Sequence, residues 1–372
     1  MRTLIHDLPA ATAGTTRRLR SLHFGRGLSG RKAYLQAALH ADEVPPLLVA
    51  QHLIERLRAL DDAGAIAGEI VLVPLANPIG LSQELQGSAL GRFDLGSGLN
   101  FNRQFLHLSA ALIARVEPLL GGDRVANTRV IRAASLALLD DWKPQSETEA
   151  LKQSLQRLAM DADLVLDLHC DHQAVLHLYT GTPQVEALTP LAAYLGAQAL
   201  LFAEVSGDEP FDESIARIWW ELAAHFEGRF PIDPLACLAA TVELRGEADV
   251  SHALAARDAD ALLAFLQHTG HVAGTPPPLP AACPPTPLQG VEPVTAPVGG
   301  IVVFTKAPGD WVDAGERVAE LIDPLTDLRT PLHARVSGRC FARTARRHAS
   351  RGMRLMKIAG ADAYRSGKLL SP

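Results

Sequence analysis

The chain of 372 residues contains few cysteines, few aromatic residues and no surplus of positive charge. Its four cysteines are scattered without a C-x-x-C pair, which argues against a disulfide framework or a cysteine-type zinc site and fits a reducing compartment. They are Cys170, Cys237, Cys283 and Cys340. Lysine and arginine total 35 against 41 acidic residues, for a net charge of −6. A nucleic-acid-binding function is therefore not expected, because phosphate binding requires a basic surface.

Long apolar runs are also missing. The most apolar window, residues 188–205, is interrupted by Pro190, Gln198 and Glu204, so it predicts a helix followed by a strand rather than a membrane span. The first 14 residues lack the apolar stretch of a signal peptide. We therefore expect a cytoplasmic protein that binds neither a membrane nor nucleic acid. The sequence leaves the oligomeric state open, a homo-oligomer included.

A proline-rich segment divides the chain. Residues 275–288 read T-P-P-P-L-P-A-A-C-P-P-T-P-L, with seven prolines in fourteen positions. Proline at this density favours extended conformations and predicts a semi-rigid linker. We therefore assign residues 1–274 to a first domain, 275–290 to the linker and 291–372 to a second domain.

In the first domain, short apolar runs alternate with amphipathic segments. The predicted strands are Tyr34–Leu39, Ile70–Leu75, Leu164–His169, Ala174–Tyr179, Ala199–Val205 and Leu238–Leu244. The predicted helices are Pro46–Leu60, Glu147–Leu158, Thr189–Leu195, Asp212–Phe226 and Ala256–His268. Ser146 and Glu149 suit a capping box, and Thr189 before Pro190 suits an N-cap. This alternation predicts an α/β domain with a mostly parallel sheet flanked by helices, and an active site at the carboxyl ends of its strands.

The second domain contains an internal repeat. Residues 296–304 align with 334–342, and 314–322 align with 351–359 with a one-residue slip. Two such halves predict a small quasi-symmetric β-sandwich. The phrase G-D-W-V-D-A-G-E-R-V resembles the biotinyl and lipoyl carriers of the barrel-sandwich hybrid fold. The hairpin that would present their modified lysine reads D-P-L-T-D-L-R-T and contains no lysine. We therefore predict a non-carrier domain that is structural or serves as a lid.

Two histidines and two glutamates carry the chemistry of the first domain. His40 and Glu43 stand in L-H-A-D-E, His169 in D-L-H-C and Glu243 in T-V-E-L-R, each at or just past the end of an apolar run. A His and a Glu three residues apart, joined by a distant His, can supply three zinc ligands and leave the fourth position open. A second Glu nearby can act as general base. The set therefore predicts metal-assisted hydrolysis, although a lone strand-end His is more often a hydrogen-bonded core residue.

The segments between these residues add a family resemblance. N-P-I-G occupies residues 77–80 and G-R-F-D-L-G-S-G-L-N-F-N-R-Q-F occupies 91–105. In this order, over residues 38–245, the motifs resemble the succinylglutamate desuccinylase/aspartoacylase family, relatives of the zinc carboxypeptidases. The β-domain after the linker is also a family feature. The resemblance implies a zinc-carboxypeptidase-like catalytic domain.

The same resemblance implies roles for individual residues. His40, Glu43 and His169 would bind one Zn²⁺ per chain, and Glu243 would activate water and protonate the leaving amine. Asn102 and Arg103 would hold the substrate, since a guanidinium offers a planar fork for a carboxylate. Arg92 would help to stabilise the oxyanion.

Three positions extend or depart from the family pattern. Ala41 replaces the usual glycine after the first metal-binding histidine. Arg245 follows Glu243 where the family has a glycine, so we expect it to point into the site and bind substrate. Asp167 lies two residues before His169 on the same strand face, where it can accept the second ring proton; a capping or solvent role is an equal alternative.

The sequence thus predicts a zinc-dependent amidohydrolase that removes an acetyl- or succinyl-like N-acyl group from an amino acid or related small molecule. One alternative is a zinc carboxypeptidase that acts on short peptides. Another is a binding or scaffold protein that has kept the fold without catalysis. The acyl group and the amino acid are not determined by the sequence.

Overall fold

The computed structural model describes residues 1–27 and 30–370. The described strands are β1 Arg2–Asp7, β2 Arg18–Gly25, β3 Lys32–Ala37, β4 Glu69–Val73, β5 Glu84–Leu85, β6 Ser88–Ala89, β7 Leu164–Asp171, β8 Gln173–Ala174, β9 His177–Gly181, β10 Ala199–Ala203, β11 Leu238–Gly246, β12 Pro285–Pro287, β13 Val291–Thr295, β14 Gly300–Phe304, β15 Trp311–Val312, β16 Arg317–Ile322, β17 Arg329–His333, β18 Gly338–Arg343, β19 His348–Ala349 and β20 Arg354–Gly360. The described helices are α1 Pro45–Asp62, α2 Pro78–Leu81, α3 Ser109–Val116, α4 Arg124–Asp141, α5 Glu147–Ala159, α6 Val185–Leu195, α7 Phe211–His225 and α8 His252–His268.

A nine-stranded sheet forms the centre of the described first domain. Its order is β1-β2-β4-β3-β7-β11-β9-β10-β12. The inner strands β4, β3, β7 and β11 run parallel to one another, whereas β9 lies antiparallel to β11. The carboxyl ends of β3, β7 and β11 therefore meet at one edge of the sheet, where catalytic groups of α/β proteins gather. The predicted mostly parallel α/β fold is confirmed.

Helices cover both faces of this sheet. One apolar cluster contains residues of α1, α6 and α8, and the other contains residues of α3, α4, α5 and α7. Along β7, Leu164, Leu166 and Leu168 belong to the first cluster and Val165 to the second. Because side chains alternate along a strand, His169 lies on the face of Val165, which α7 covers.

The local patterns predicted most elements of this domain. The Ser146 side chain caps α5 by accepting the N–H of Glu149, as predicted. The N-cap predicted at Thr189 is wrong, because α6 already begins at Val185 and contains Pro190. Inside this helix the Thr189 hydroxyl donates to the Val185 carbonyl at 2.8 Å, so the hydroxyl bonds back along the helix instead of capping it.

The described C-terminal residues form two small antiparallel sheets around their own apolar core. Strands β14, β15 and β16 of the first half recur as β18, β19 and β20 of the second half. The halves exchange their short strands, since β19 pairs with β14 and β15 pairs with β18. This arrangement confirms the predicted all-β sandwich. The hairpin after β16 is exposed and contains no lysine.

Backbone pairing joins the C-terminal sheets to the first domain. Strand β8 pairs with β18, and the Val175 N–H donates to the Phe341 carbonyl at 2.9 Å. Strand β12, which lies in the segment predicted as a linker, pairs with β10 at the edge of the large sheet. An apolar cluster that includes Leu201, Leu288 and Phe341 fills the space between them. The division of the chain into two domains at residues 275–290 remains a prediction.

Among the helices of residues 1–27 and 30–370, none combines the length and apolar character needed to cross a bilayer.

Candidate active site

His40 and Glu43 lie on the turn that follows β3. Ala38 starts this turn in the left-handed region, with φ of 59°, an uncommon conformation for a residue with a side chain. Asn77, the first residue of the N-P motif, holds the turn from the next strand, because its Nδ2 donates to the Leu39 carbonyl at 2.9 Å. The N-P motif therefore supports the histidine position rather than the chemistry.

Gly91 closes the other side of the same turn. A Cβ at this position would lie 2.3 Å from the backbone nitrogen of Asp42, so only glycine fits. The Gly91 carbonyl also accepts the N–H of Ala41 at 3.1 Å. The alanine that replaces the family glycine is thus accommodated in a buried position, as its small side chain suggested.

Glu43 joins the two histidines. His40 Nδ1 lies 3.0 Å from Glu43 Oε1, and His169 Nδ1 lies 2.8 Å from Glu43 Oε2. The backbone N–H of Cys170 donates to the same Oε2 at 3.0 Å. All three side chains are buried, and their candidate ligand atoms lie within 4.8 Å of one another. The structure thus brings together the three residues predicted as metal ligands in a group that could hold a metal ion.

The outer nitrogens of both rings face oxygen acceptors. His40 Nε2 lies 2.8 Å from Asn100 Oδ1, and His169 Nε2 lies 3.0 Å from Asp167 Oδ2. Asn100 Oδ1 favours a proton on His40 Nε2, which leaves the His40 Nδ1 lone pair directed at the Glu43 carboxylate. The two Nδ1 atoms and the buried carboxylate need positive charge between them, which a proton on His169 supplies when no cation is present. The donor set therefore fits a divalent cation.

The charges of the three side chains in the metal-free protein follow from their surroundings. Burial and the Arg92 charge lower the pKa of His40 to about 4, so this ring is neutral near pH 7. Burial alone would lower the pKa of His169, but the Asp167 and Glu43 carboxylates outweigh it and raise that pKa. Burial also works against ionisation of Glu43, yet His169 and His40 hold its pKa well below the usual range. The cluster therefore keeps a negative charge on Glu43 and a balancing positive charge beside it.

Glu243 lies beside these residues on the neighbouring strand. It is the register partner of His169 in the parallel pair β7–β11, and both line one open cavity of about 800 Å³, a volume that includes the solvent at its mouth. Its Oε2 is buried, and within the described residues no hydrogen-bond partner reaches this oxygen. Burial raises the pKa of Glu243 to about 8, and the Glu43 carboxylate adds to the rise. A carboxyl group in this state suits proton transfer.

Arg92 lies at the boundary between two cavities. Its Nη1 is 3.3 Å from His40 Nδ1 and 3.4 Å from Glu43 Oε1. The residue lines the 800 Å³ cavity, and it also lines a second cavity of about 930 Å³. Glu243 lines both cavities as well. A scissile bond held between Arg92 and Glu243 would therefore have space for one half of a substrate in each cavity.

Asn102 and Arg103 line the 800 Å³ cavity. Asn102 Nδ2 lies 3.4 Å from His169 Nε2, and its Oδ1 accepts the N–H of Phe211 at the start of α7 at 2.8 Å. Arg103 is buried, and its Nη1 donates to the Asn102 carbonyl at 2.6 Å. Asn102 therefore positions α7 against the histidine, and the guanidinium of Arg103 lies in the cavity wall.

Arg245 does not join this group, contrary to the prediction. It adopts φ of 67° at an irregularity in β11, between Glu243 and Gly246. Its guanidinium forms a two-point ion pair with the buried Asp258 carboxylate on α8. The backbone turn directs the side chain to the helix on the other face of the sheet, so Arg245 is a structural residue here.

The sequence interpretation missed Lys357, which enters the cavity from β20 of the C-terminal sheets. Its Nζ lies 2.5 Å from Asp171 Oδ2. Burial would lower the pKa of Lys357, but the Asp171 carboxylate and Tyr179 raise it above its usual value. Nothing in the local pattern marks this lysine, because its partner lies 186 positions away.

Asn100 was missed as well, although it stands beside the N-R motif. Its Oδ1 accepts the N–H of Asn102 at 2.8 Å and lies next to His40 Nε2. The phrase L-N-F-N-R, with two asparagines on alternate positions, was the available signal. Cys170, next to His169, is buried, and burial raises the pKa of its thiol well above the ordinary value, which does not suit a nucleophile.

Comparisons with solved structures agree with this architecture. A succinylglutamate desuccinylase/aspartoacylase family protein from Shewanella amazonensis SB2B is 26% identical, with a TM-score of 0.84 over 96% of this chain and 98% of that one. A protein named after the same enzymes, from Shewanella frigidimarina NCIMB 400, is 22% identical, with a TM-score of 0.85 over 96% and 97%. The product-bound ectoine utilization protein EutE (DoeB) from Ruegeria pomeroyi is 17% identical, with a TM-score of 0.67 over 96% and 95%. The last two likenesses concern the fold alone.

A comparison with curated proteins found no match. The model of the succinylglutamate desuccinylase/aspartoacylase catalytic domain matches residues 29–269, which is more than half of the chain and contains every predicted site residue. The resemblance predicted from the ordered motifs is confirmed: the chain belongs to the succinylglutamate desuccinylase/aspartoacylase family, which is named for deacylases.

Proposed function

We propose that the protein is a zinc-dependent amidohydrolase that removes an N-acyl group from an amino acid or a related small acid. The observation that carries this proposal is the convergence of two imidazole Nδ1 atoms on the Glu43 carboxylate, with the unpartnered oxygen of Glu243 in the same cavity. Two nitrogens and a carboxylate oxygen are a donor set that zinc prefers, and three protein ligands leave a position open for chemistry.

His40, Glu43 and His169 would hold the ion. A bound zinc ion supplies Lewis acidity, which polarises a carbonyl and lowers the pKa of water. With an ion bound, the Asn100 and Asp167 oxygens beside the two Nε2 atoms would favour the tautomer that leaves Nδ1 free. A cation in this place would also lower the pKa of Glu243 from about 8, because nearby positive charge favours a carboxylate.

Glu243 and Arg92 would carry the proton and charge transfers. Glu243 accepts a proton from the attacking water at its carboxylate oxygen and later gives it to the amine nitrogen that leaves. Arg92 donates N–H groups toward the oxygen that becomes negative as water adds to the amide carbon. Such donors are worth about 3–4 kcal/mol of transition-state stabilisation.

Arg103 and Asn102 would orient the substrate. Arg103 lies in the wall of the cavity that contains Glu243, and its guanidinium matches the two oxygens of a carboxylate. An N-acyl amino acid carries a carboxylate one carbon away from the amide nitrogen. Binding of that carboxylate at Arg103 would place the scissile bond toward Glu243 and Arg92.

A hydrolysis screen tests the proposal. Zinc-loaded protein is incubated with N-formyl, N-acetyl and N-succinyl amino acids and with matched dipeptides, and free amine is measured. We expect turnover of N-acyl amino acids that disappears after chelation and returns with zinc. Faster turnover of dipeptides would identify a carboxypeptidase. A protein that binds one zinc per chain but hydrolyses none of these amides would contradict the proposal and favour a binding role.

A further inference from the structure

The lining of the 800 Å³ cavity changes from polar to apolar with distance from His40 and His169. Helix α7 lines it with Asp212, Ala216 and Trp220. A spacing of four residues puts these three side chains on one stripe of the helix. The stripe begins next to Asn102, which binds the start of α7, and it ends at an indole ring. The cavity therefore extends along the helix from a polar end at the metal-binding group to an apolar end at Trp220.

Apolar groups from three other segments also line this cavity. They are Leu201 and Ala203 of β10, Leu288 of the 3-10 turn after β12, and Leu370 near the C-terminus. Two other residues that line the cavity, Ala216 and Ala239, have small side chains. Small side chains in the wall leave room for a group of the ligand.

The position of Trp220 is held by close packing. A Cβ at Gly181 would lie 2.6 Å from Cη2 of the Trp220 ring, so the indole rests directly on the Gly181 backbone. The ring therefore forms a fixed end wall against which an apolar group can pack.

The charges in the wall disfavour a second carboxylate along α7. Among the described residues, the lysine and arginine side chains that line the cavity are Arg92, Arg103 and Lys357. Lys357 is paired with Asp171, and Arg92 lies against Glu43. The α7 stripe itself contributes the carboxyl group of Asp212, and Glu213 follows it in the cavity wall. An acidic side chain lying along α7 would meet these acids instead of a cation.

The second cavity, of about 930 Å³, offers a separate space for the other half of the substrate. It shares Arg92, Glu243 and Lys357 with the first cavity but is lined further out by Cys170, Arg343 and other residues. The amide bond would lie at the shared residues. Because Arg103 lines the first cavity, the carboxylate half occupies that one and the acyl half extends into the second.

We infer, building on the function proposed above, that the cavity along α7 receives the side chain of the amino-acid half, and that this side chain is apolar and of leucine or phenylalanine size. Ala216 and Trp220 are then specificity-determining residues, Ala216 through the space it leaves and Trp220 through the wall it forms.

Rates with a matched series of N-acetyl amino acids test this inference. With the zinc-loaded enzyme, kcat/KM for the leucine and phenylalanine derivatives should exceed that for the aspartate and glutamate derivatives by at least about tenfold. Ala216→Leu should lower kcat/KM for the phenylalanine derivative by about 10–200-fold and change that for the alanine derivative by less than about threefold. The matched control is Ala224→Leu, an exposed position on the same helix, which should leave the whole series unchanged.

Two further measurements keep the inference testable if Ala216→Leu does not fold. In the wild type, free L-phenylalanine should inhibit competitively at lower concentration than L-aspartate. With N-acyl-leucine substrates of increasing acyl length, kcat/KM should not show the increase that is expected with increasing size of an apolar side chain. Preference for acidic derivatives, or sensitivity of Ala216→Leu to acyl length alone, would overturn the inference while the amidohydrolase function stands. Absence of hydrolysis across the series would instead overturn the function, and tighter calorimetric binding of N-acetyl-aspartate than of N-acetyl-phenylalanine would then overturn the inference separately.

Discussion

Replacement of Glu243 by glutamine separates the catalytic role of this carboxyl group from its effect on stability. Glutamine has nearly the same shape but cannot take up a proton from water. If Glu243 is the general base, turnover should fall by about 10²–10⁴-fold. The metal content should stay unchanged, because the ligand group consists of His40, Glu43 and His169.

The same substitution should change how stability depends on pH. In the metal-free protein the pKa of Glu243 is raised from 4.5 to about 8, so between these values the folded state keeps a proton that the unfolded chain releases. Stability therefore falls as the pH rises through this window and levels off above it. The greatest slope for one proton is about 1.4 kcal/mol per pH unit, which gives roughly 2 kcal/mol between about pH 5.5 and 7, well inside this window.

Urea unfolding of chelator-treated protein at several pH values measures this effect. The wild type should lose about 2 kcal/mol of unfolding free energy over that range relative to Glu243→Gln. Glu204→Gln is the matched control, since Glu204 is an exposed glutamate near the end of β10. This variant should follow the wild type in both turnover and pH dependence.

Two results would refute the reasoning about Glu243. Retained turnover in Glu243→Gln would move the general base to another residue. Parallel pH profiles of wild type and variant would mean that the Glu243 carboxyl group is not held protonated in the folded, metal-free protein.

Three further predictions concern the surroundings of this group. Asp167→Asn removes the charge beside His169 Nε2 and should weaken metal binding by about 10–100-fold in a chelator-competition titration; unchanged affinity would contradict the role of Asp167. Arg103→Lys keeps the charge but loses the planar fork, so the KM for substrates with a free carboxylate should rise. Esterifying that carboxylate should weaken binding to the wild type but weaken binding to this variant little further. Additive losses would mean that Arg103 does not bind the carboxylate. Lys357→Met leaves the partly buried Asp171 without its cation and should cost about 1–3 kcal/mol in urea unfolding, with partial recovery when Asp171→Asn is added; no loss would contradict the ion pair as a structural link.

Local sequence patterns predicted the elements that present the site. Apolar runs of strand length predicted β3, β7 and β11, whose ends carry or precede the predicted ligands and base. Their parallel arrangement then followed from the alternation of strands and helices. The outer strands β1 and β2 were not predicted. Strand β1 is almost entirely exposed at the sheet edge, and the burial of β2 alternates only in part. The alternation of apolar and polar residues that predicts a strand was therefore weak in both.

Helix α7 shows what such local patterns can and cannot predict. Trp219 and Trp220 are adjacent on this helix, and Trp219 is fully buried in the apolar cluster between α7 and the sheet. Trp220 is one residue further, about 100° around the helix; it packs against the edge of this cluster and also lines the cavity. Helical periodicity predicts that two neighbours face different directions, but only the packed structure decides which direction contains the cavity.

The sequence by itself determined the family, the α/β class and the candidate metal-binding group of His40, Glu43 and His169. These depend on residue order and on short-range periodicity, which the chain retains whatever its packing. Only the tertiary structure decided that Arg245 turns away to Asp258 and that Lys357 enters the cavity from the C-terminal sheets. Both outcomes depend on pairing between segments distant along the chain, or on one backbone irregularity in a strand. Such contacts are selected by burial and charge in the packed molecule, and no local pattern records them.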